Sequence, residues 1–298
     1  MRFITSYLRK RKTEKRNLRN INHSIECHLK KQHFTCKALN SAQSLVNTTK
    51  QRAQEVVVSL TTYSKRIHDV HLVIESLGEQ TYLADRIILW LDEEEYTIDT
   101  LPKMLMKQIE RGLEVRFCKN LRSYKKLIPT LSLYPEADII TVDDDFIYPY
   151  DLIELLIRGK EENPNTIIGM RAHEIKHSSS NVAPYREWGY EVSYSHNGPL
   201  TFLTTGAGTL FPASILHPEI CKCGNFLSIC PDADDVWINF MCIHYGIERA
   251  KVSDDRPFHS RFFEIENGQD IALNKSNVHQ EQNDAQVQAV IKRYQITL

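Results

Sequence analysis

Long apolar runs are missing from this 298-residue sequence, and nothing in it is long and apolar enough to suggest a membrane span. The first twenty residues, MRFITSYLRKRKTEKRNLRN, also lack the apolar core of a secretory signal peptide. Because no secretory signal is evident, we expect a cytoplasmic protein. Its seven cysteines are then expected to be free thiols in a reducing compartment.

The paired C-x-x-C spacing of zinc modules is missing as well. The segment HPEICKCGNFLSIC does place His217, Cys221, Cys223 and Cys230 close together, which leaves a structural zinc site as an alternative. Without the paired spacing, ordinary partly buried cysteines are the favoured interpretation.

Acidic residues are scarce in residues 1–52, where thirteen Lys or Arg face only Glu14 and Glu26. Since the whole chain has a net charge of -1, a balance of +11 here leaves -12 for the rest. This asymmetry predicts a basic N-terminal extension over residues 1–52, followed by an acidic body over residues 53–298. An acidic body argues against a broad nucleic-acid-binding surface.

Two interpretations of this extension stay open. It is either a solvated, partly disordered segment or a basic helix that lies on anionic lipid at the inner face of the cell membrane. In the second case Phe3, Ile4, Tyr7 and Leu8 would be shallow anchors for a peripheral contact.

Short apolar, β-branched runs alternate with stretches of helical spacing from residue 55 onward. The runs predict buried strands at residues 55–63, 85–93, 114–119 and 137–142, with helices between them. This order is typical of an α/β fold whose central sheet is mostly parallel and flanked by helices. Ligands of such sheets bind beyond the carboxyl ends of the strands, so TTYSKR and the segment after residue 142 should face one crevice.

Three consecutive carboxylates, Asp143, Asp144 and Asp145, follow the fourth predicted strand in ADIITVDDDFIYP. Like charges at this spacing repel one another unless positive charge lies between them. A divalent cation with oxygen ligands would supply it, whereas the alternative is a solvated acidic turn. The position at the end of a buried strand favours the metal.

Five segments in this order resemble bacterial nucleotide-sugar glycosyltransferases of the GT-A fold (family 2-like) associated with capsule and lipopolysaccharide synthesis. They are YKKLIPTL, DIITVDDDFIYP, TTGAGTLFP, CPDADDVW and SNVHQEQNDAQ. The resemblance extends from residue 55 to the C-terminus and leaves the basic extension outside. It implies a Rossmann-like GT-A domain that transfers a sugar from a nucleoside diphosphate, with a UDP-sugar favoured, to a surface glycan or lipid-linked glycan.

The resemblance also implies roles for the aspartate triplet. Asp143 would contact the donor ribose or help hold the metal, Asp145 would bind Mn²⁺ or Mg²⁺, and Asp144 would contact the sugar. The cation would stabilise the charge that develops on the diphosphate leaving group. His259 and His279 are each candidates to complete the metal ligands from the C-terminal region, or are simply structural histidines.

The loops around the triplet supply the other donor-binding candidates. After the first strand, Thr61 and Tyr63 would receive the base, while Arg66 would reach a phosphate or remain a solvated cation. The segment RSYKK offers three basic side chains: Arg122, Lys125 and Lys126. One of them, with Lys125 as the candidate, would pair with the diphosphate, and the others would be surface charges. Gly206 and Gly208 in TTGAGT would let the backbone approach the donor sugar, or would only form a tight turn.

The segment PDADDVW is expected to supply the general base of an inverting transfer. Asp234 and Asp235 begin a predicted helix, where the helix dipole favours ionised carboxylates. Asp235 is favoured as the base, with Asp234 as the helix cap, because this division explains both residues.

Other functions remain as alternatives. A sugar nucleotidyltransferase also uses carboxylates and Mg²⁺, but the glycine-rich loop expected after its first strand is absent from TTYSKRI. A phosphatase of the HAD type would carry D-x-D at its first strand, not its fourth. A non-catalytic glycan-binding protein could have kept the fold, although both acidic groups are intact.

Overall fold

The computed structural model describes residues 2–49, 52–178, 181–192, 197–266 and 282–298, with only the helical backbone described for residues 2–9. His279 therefore lies outside the described residues.

A seven-stranded sheet forms the centre of the protein, with the strand order β12-β6-β11-β4-β1-β2-β3. Its strands are β1 (Val56–Thr61), β2 (Arg86–Asp92), β3 (Leu113–Cys118), β4 (Asp138–Thr141), β6 (Ile167–Gly169), β11 (Thr209–Phe211) and β12 (Arg249–Lys251). β1 pairs in parallel with β2 and β4, and β2 pairs in parallel with β3. β11 runs antiparallel to β4 and β6, and β12 is parallel to β6.

Shorter strands form three two-stranded sheets beside the main one. They pair β7 (Ala172–Glu174) with β10 (Thr201–Leu203), β5 (Phe146–Ile147) with β13 (Phe263–Glu264), and β8 (His177–Ser178) with β9 (Asn181–Val182). The segment NTIIGMRAHEI forms two strands, β6 and β7, because the chain leaves the main sheet after Gly169 and then pairs with β10.

Helices cover both faces of the main sheet. They are α1 (Arg2–Asn40), α2 (Val70–Leu77), α3 (Lys103–Ile109), α4 (Ile128–Leu133), α5 (Leu152–Glu162), α6 (Cys223–Ile229), α7 (Asp234–Tyr245), α8 (Phe258–Arg261) and α9 (Gln282–Tyr294). Neighbouring strand residues point to opposite faces: Ile140 joins the core formed with α1, α2, α3 and α5, and Ile139 joins the core formed with α6, α7 and α9. The predicted α/β class, with a mostly parallel sheet and flanking helices, is confirmed.

The basic N-terminal extension is helical and is docked on the body along part of its length. Cys27, Phe34 and Ala38 of α1 are buried, and Leu45, just beyond the helix, is fully buried. A Cβ at Gly78 would lie 2.4 Å from Cδ2 of Leu45, so this glycine leaves the space that Leu45 fills. The domain boundary at residue 52 stays a prediction, but side chains before it belong to the core.

Across the described residues, no helix is both long and apolar enough to cross a bilayer. The seven cysteines are free thiols. The predicted zinc alternative does not gather its ligands, since Cys230 donates its thiol to the carbonyl of Ala233 and His217 stacks on Tyr245 at 3.7 Å.

Candidate active site

A cavity of about 620 Å³ opens beyond the carboxyl ends of β1 and β4. The loop after β1 contributes Thr62 and Tyr63, and the loop after β4 contributes the aspartate triplet. The α7 helix begins at the same cavity with Asp234 and Asp235. The structure therefore brings the segments TTYSKR and VDDDF to one crevice, as the parallel sheet predicted, and places PDADD there as well.

Asp143 presents the accessible carboxylate of the triplet, with 42% of its side chain exposed. Its backbone N–H donates to the carbonyl of Gly206 at 2.9 Å and to the Tyr148 hydroxyl at 2.8 Å. The Tyr148 hydroxyl in turn donates to the same Gly206 carbonyl at 2.5 Å. This buried triangle fixes the loop 205–207 against the end of β4.

Gly206 also makes room for the Asp143 side chain. A Cβ at this position would lie 1.6 Å from Oδ2 of Asp143 and 1.9 Å from its Cγ. Only a residue without a side chain can occupy this place while the Asp143 carboxylate keeps its position.

Asp144 lines the cavity but is almost completely buried. It accepts hydrogen bonds from the Thr62 hydroxyl and from Nη1 of Arg66, each at 2.6 Å. The same Arg66 nitrogen lies 3.2 Å from Oδ2 of Asp145. Arg66 is thus a buried cation that pairs with two members of the triplet, and the alternative of a solvated cation at this position is wrong. Burial raises the pKa of Asp144, against the opposing effect of Arg66.

Lys126 connects the triplet to α7. Its Nζ lies 2.8 Å from Oδ1 of Asp143 and 3.0 Å from Oδ2 of Asp234, with only 4% of the side chain exposed. Burial alone would lower the pKa of Lys126, but the carboxylates of Asp143, Asp234 and Asp235 raise it above its ordinary value. A permanent positive charge therefore lies between the two acidic groups of the site.

The two carboxylates that begin α7 differ in environment. Asp234 accepts from Lys126 at 3.0 Å, and its Oδ2 also lies 3.0 Å from the Thr205 hydroxyl oxygen. Burial alone would raise the pKa of Asp234, but the positive charge of Lys126 lowers it. Oδ1 of Asp235 accepts from the Thr205 N–H at 2.9 Å and hydroxyl at 2.5 Å. Burial and the neighbouring Asp234 charge raise the pKa of Asp235 to about 7. One carboxylate is thus held ionised, and the other is suited to exchange a proton near neutral pH.

The predicted cap at this helix is not formed as expected. Residue 233 is the N-cap and makes no side-chain cap hydrogen bond, while Asp234 is bound to Lys126 and Thr205. The distinction between the two aspartates therefore comes from their cationic and hydroxyl partners, not from helix capping.

Most of the other predicted donor-binding residues reach the cavity. Thr61, Tyr63, Lys125 and Gly206 line it, although the Thr61 hydroxyl donates to the Trp90 carbonyl in the sheet. Lys125 is buried, and no described carboxylate lies within ion-pair distance of it.

Two predicted residues do not reach the cavity. Gly208 has a φ of +101°, and a Cβ there would lie 2.7 Å from Cδ1 of Leu152 in the core. It belongs to the tight turn before β11, so its assignment to the donor site is corrected. His259 is exposed on α8 and is not among the lining residues, so the predicted metal role of His259 is corrected too.

An aromatic wall closes the cavity beside α7 and was not anticipated residue by residue. It consists of His173, Tyr185, Tyr190 and Phe202, of which Tyr190 is 44% exposed. Nδ1 of His173 accepts from the Glu191 N–H at 3.0 Å, which places its ring proton on Nε2. Burial and the Arg171 charge lower the pKa of His173 to about 3, so this ring is neutral. The aromatic content of residues 185–202 is a signal for this wall in the sequence.

The carboxylates of this site include those predicted to hold a divalent cation. No group of three or more His, Cys, Asp and Glu side chains in the described ranges forms a complete cage. Mg²⁺ in nucleotide enzymes is held by one or two carboxylates together with substrate phosphates. Asp143, accessible and seated against Gly206, and Asp145 beside it offer two such carboxylates. The residues present therefore fit a divalent cation only as one that is held together with phosphate oxygens.

Two solved structures resemble the chain distantly. No family model and no curated protein matches the chain. One similar solved structure is CMP:2-keto-3-deoxy-manno-octonic acid synthetase complexed with CTP, at 10% identity and a TM-score of 0.40, covering 66% of this chain and 89% of that one. Another is S. aureus TarS 1–349 in complex with UDP, at 12% identity and a TM-score of 0.44, covering 67% of this chain and 58% of that one. Likenesses of this size carry no assignment, so function is argued from the cavity itself.

Proposed function

We propose that this protein is a glycosyltransferase that moves a sugar from a nucleoside diphosphate, with a UDP-sugar favoured, to a glycan acceptor with inversion at the anomeric carbon. The observation that carries the proposal is the convergence of two acidic groups on one cavity. Asp143 offers an accessible carboxylate for the donor, and Asp235, next to the Asp234 that shares Lys126 with Asp143, has a pKa of about 7. An inverting transfer needs both a charge-stabilised leaving group and a base.

The charges that line the cavity favour a donor bound together with a cation. The described lining residues include eight acidic side chains and five basic ones, a formal balance of -3. A diphosphate brings further negative charge and would be repelled by this balance. When bound by Asp143 and Asp145, Mn²⁺ or Mg²⁺ would neutralise the diphosphate and stabilise its charge as it leaves. Lys125, which no described carboxylate pairs with, is the side chain best placed by its charge to contact a phosphate.

The chemistry assigned to this chain's own residues is proton removal and orientation. Oδ2 of Asp235 takes the proton of an acceptor hydroxyl, while Oδ1 is held by the two Thr205 donors. The hydroxyl oxygen then forms a bond to the anomeric carbon, and the bond from that carbon to the diphosphate oxygen breaks on the opposite face. Lys126 keeps Asp234 ionised, and that charge raises the basicity of Asp235.

We further propose that the acceptor is a surface glycan of the capsule or lipopolysaccharide type, free or linked to lipid. The aromatic wall next to Asp235 supports a carbohydrate acceptor, since the half-exposed Tyr190 ring offers an apolar face of the kind that packs against a sugar ring. A lipid-linked acceptor would agree with a peripheral contact between the basic residues 1–52 and the anionic inner face of the cell membrane.

The decisive experiment is a thermal-stabilisation screen of UDP- and GDP-sugars with and without Mn²⁺. We expect one nucleotide sugar to raise the melting temperature in the presence of Mn²⁺, and transfer or hydrolysis of the same sugar to follow. If no nucleotide or nucleotide sugar stabilises the protein with any divalent cation, the proposal is refuted.

A further inference from the structure

The described part of α1 has two apolar faces, and within the described residues one of them packs on the body. Cys27, Phe34 and Ala38 pack on the body. On the other side lie four large apolar side chains that stay largely in solvent: Leu18 is 60% exposed, Ile21 55%, Ile25 54% and Leu29 58%. These four residues, called here the α1 stripe, form a concentration of exposed apolar side chains on one helix.

Helix geometry shows that the α1 stripe is continuous. At 3.6 residues per turn, positions 18, 21, 25 and 29 fall within an arc of about 80° and extend over about 16 Å along the axis. Position 27, which faces the body, is about 180° from position 18 on the same helix. Where α1 packs on the body, the α1 stripe therefore faces away from the body.

The charge around the α1 stripe indicates what covers it. Residues 10–31 contain eight Lys or Arg and two Glu, and every described side chain in 10–20 is exposed. A second copy of the helix would bring two strongly basic segments together, and four side chains fall short of the roughly 800 Å² per partner of a stable interface. An anionic bilayer instead offers opposite charge to the basic residues and an apolar boundary to the four side chains.

We propose that the α1 stripe is the membrane-docking face of the protein, with Leu18, Ile21, Ile25 and Leu29 inserted at the surface of an anionic bilayer. This inference rests on the peripheral membrane contact proposed above and assigns it to a defined face. The helix lies in the plane of the membrane, and its opposite face holds the body at the surface through Cys27, Phe34 and Ala38.

The experiment measures co-sedimentation of the full chain with phosphatidylcholine vesicles that contain or lack phosphatidylglycerol. The test variant replaces Leu18, Ile21, Ile25 and Leu29 by Ser. A matched control replaces Ile98 and Met106 by Ser, since these are exposed apolar side chains elsewhere, 43% and 39% exposed. We expect wild type and control to bind the anionic vesicles alike, and the stripe variant to bind at least about tenfold less. Unchanged melting of the stripe variant would confirm that α1 still packs on the body.

Three results would overturn the inference, and they are distinguishable. If wild type does not bind anionic vesicles at all, the peripheral membrane contact itself fails. If wild type binds and the stripe variant binds equally, basic charge alone makes the contact and the stripe is not the docking face. If light scattering shows a wild-type dimer that the stripe variant loses, the stripe is an interface between copies. Donor binding, measured in solution, is expected to be the same in all variants.

Discussion

The Asp143 carboxylate occupies the place where a side chain at residue 206 would begin, because a Cβ on Gly206 would lie 1.6 Å from Oδ2 of Asp143. The two residues are 63 positions apart in sequence, yet the backbone of Gly206 forms the surface on which the Asp143 side chain lies. The accessible carboxylate of the proposed donor site thus depends on a glycine in a different loop.

Gly206→Ala is therefore expected to displace the Asp143 carboxylate and to weaken donor binding. We predict at least a tenfold loss of UDP affinity in the presence of Mn²⁺, measured by calorimetry, because a group shifted by about 1 Å no longer meets its ligand. Gly224→Ala is the matched control, since a Cβ there has no atom within 4 Å. Unchanged affinity of Gly206→Ala would show that Asp143 does not contact the bound nucleotide or its cation.

Asp145→Ala tests the metal itself. This substitution is expected to abolish Mn²⁺-dependent UDP binding while the protein stays folded, since Arg66 keeps its 2.6 Å hydrogen bond to Asp144. Circular dichroism and titration of UDP with and without Mn²⁺ provide the measurement, and the exposed Asp99→Ala is the control. Wild-type UDP affinity with Mn²⁺ in the Asp145 variant would count against Asp145 as a metal ligand.

The sequence was informative where the signal is local. Strands β1 to β4 and the helices between them were predictable because apolar periodicity is a property of neighbouring residues. The triplet Asp143–Asp145 was conspicuous for the same reason. The prediction that the triplet and the loop after β1 share one crevice followed from the parallel topology.

The rest of the site depends on contacts between distant segments, which periodicity does not encode. Nothing in the sequence distinguishes Gly206, which meets Asp143, from Gly208, which meets Leu152. Thr205 looks like any loop threonine, yet it donates two hydrogen bonds to Asp235. Lys126 was one of three basic residues in RSYKK, and only the packing shows that it bridges two acidic groups.

Lys126→Met is predicted to destabilise the protein by about 3–5 kcal/mol, because removal of one member of a buried ion pair leaves uncompensated charge. Urea unfolding measures this loss, and the exposed Lys119→Met is the control. This loss of stability should be smaller at lower pH. Without the positive charge of Lys126, Asp234 and Asp235 are protonated more easily, and protonation removes their uncompensated negative charge. A variant as stable as wild type at pH 8 would show that the bridge to Asp143 and Asp234 contributes little.

The free energy of unfolding should also depend on pH because the pKa of Asp235 is raised in the folded state. A carboxyl group whose pKa rises from its ordinary value to about 7 in the folded state binds more protons there than in the unfolded state. Its contribution to stability is therefore present at low pH and is lost as pH rises through about 7. We predict that Asp235→Asn stabilises the protein relative to wild type at pH 8 and much less at pH 5, measured by urea unfolding at each pH. A stability difference that does not change between the two values would contradict the raised pKa.

Asp235→Asn also separates catalysis from donor binding. The amide is nearly isosteric and can still accept from Thr205, but it cannot take a proton from the acceptor. We predict that kcat falls by about 10²–10⁴-fold, the usual contribution of a general base, while the affinity for the nucleotide sugar stays near that of wild type. Asp234→Asn is the companion variant, and it is expected to act through Lys126 and the pKa of Asp235.

The pH dependence of kcat/KM should also identify Asp235 as the base. In wild type, kcat/KM should fall below an apparent pKa near 7, because only the ionised Asp235 carboxylate can accept the proton. Asp234→Asn removes the neighbouring negative charge that raises the pKa of Asp235, so its acidic limb should move to lower pH. Asp235→Asn should lose the limb together with the rate. Transfer at the wild-type rate by Asp235→Asn, with the limb unchanged, would place the base elsewhere and remove the main support for an inverting mechanism.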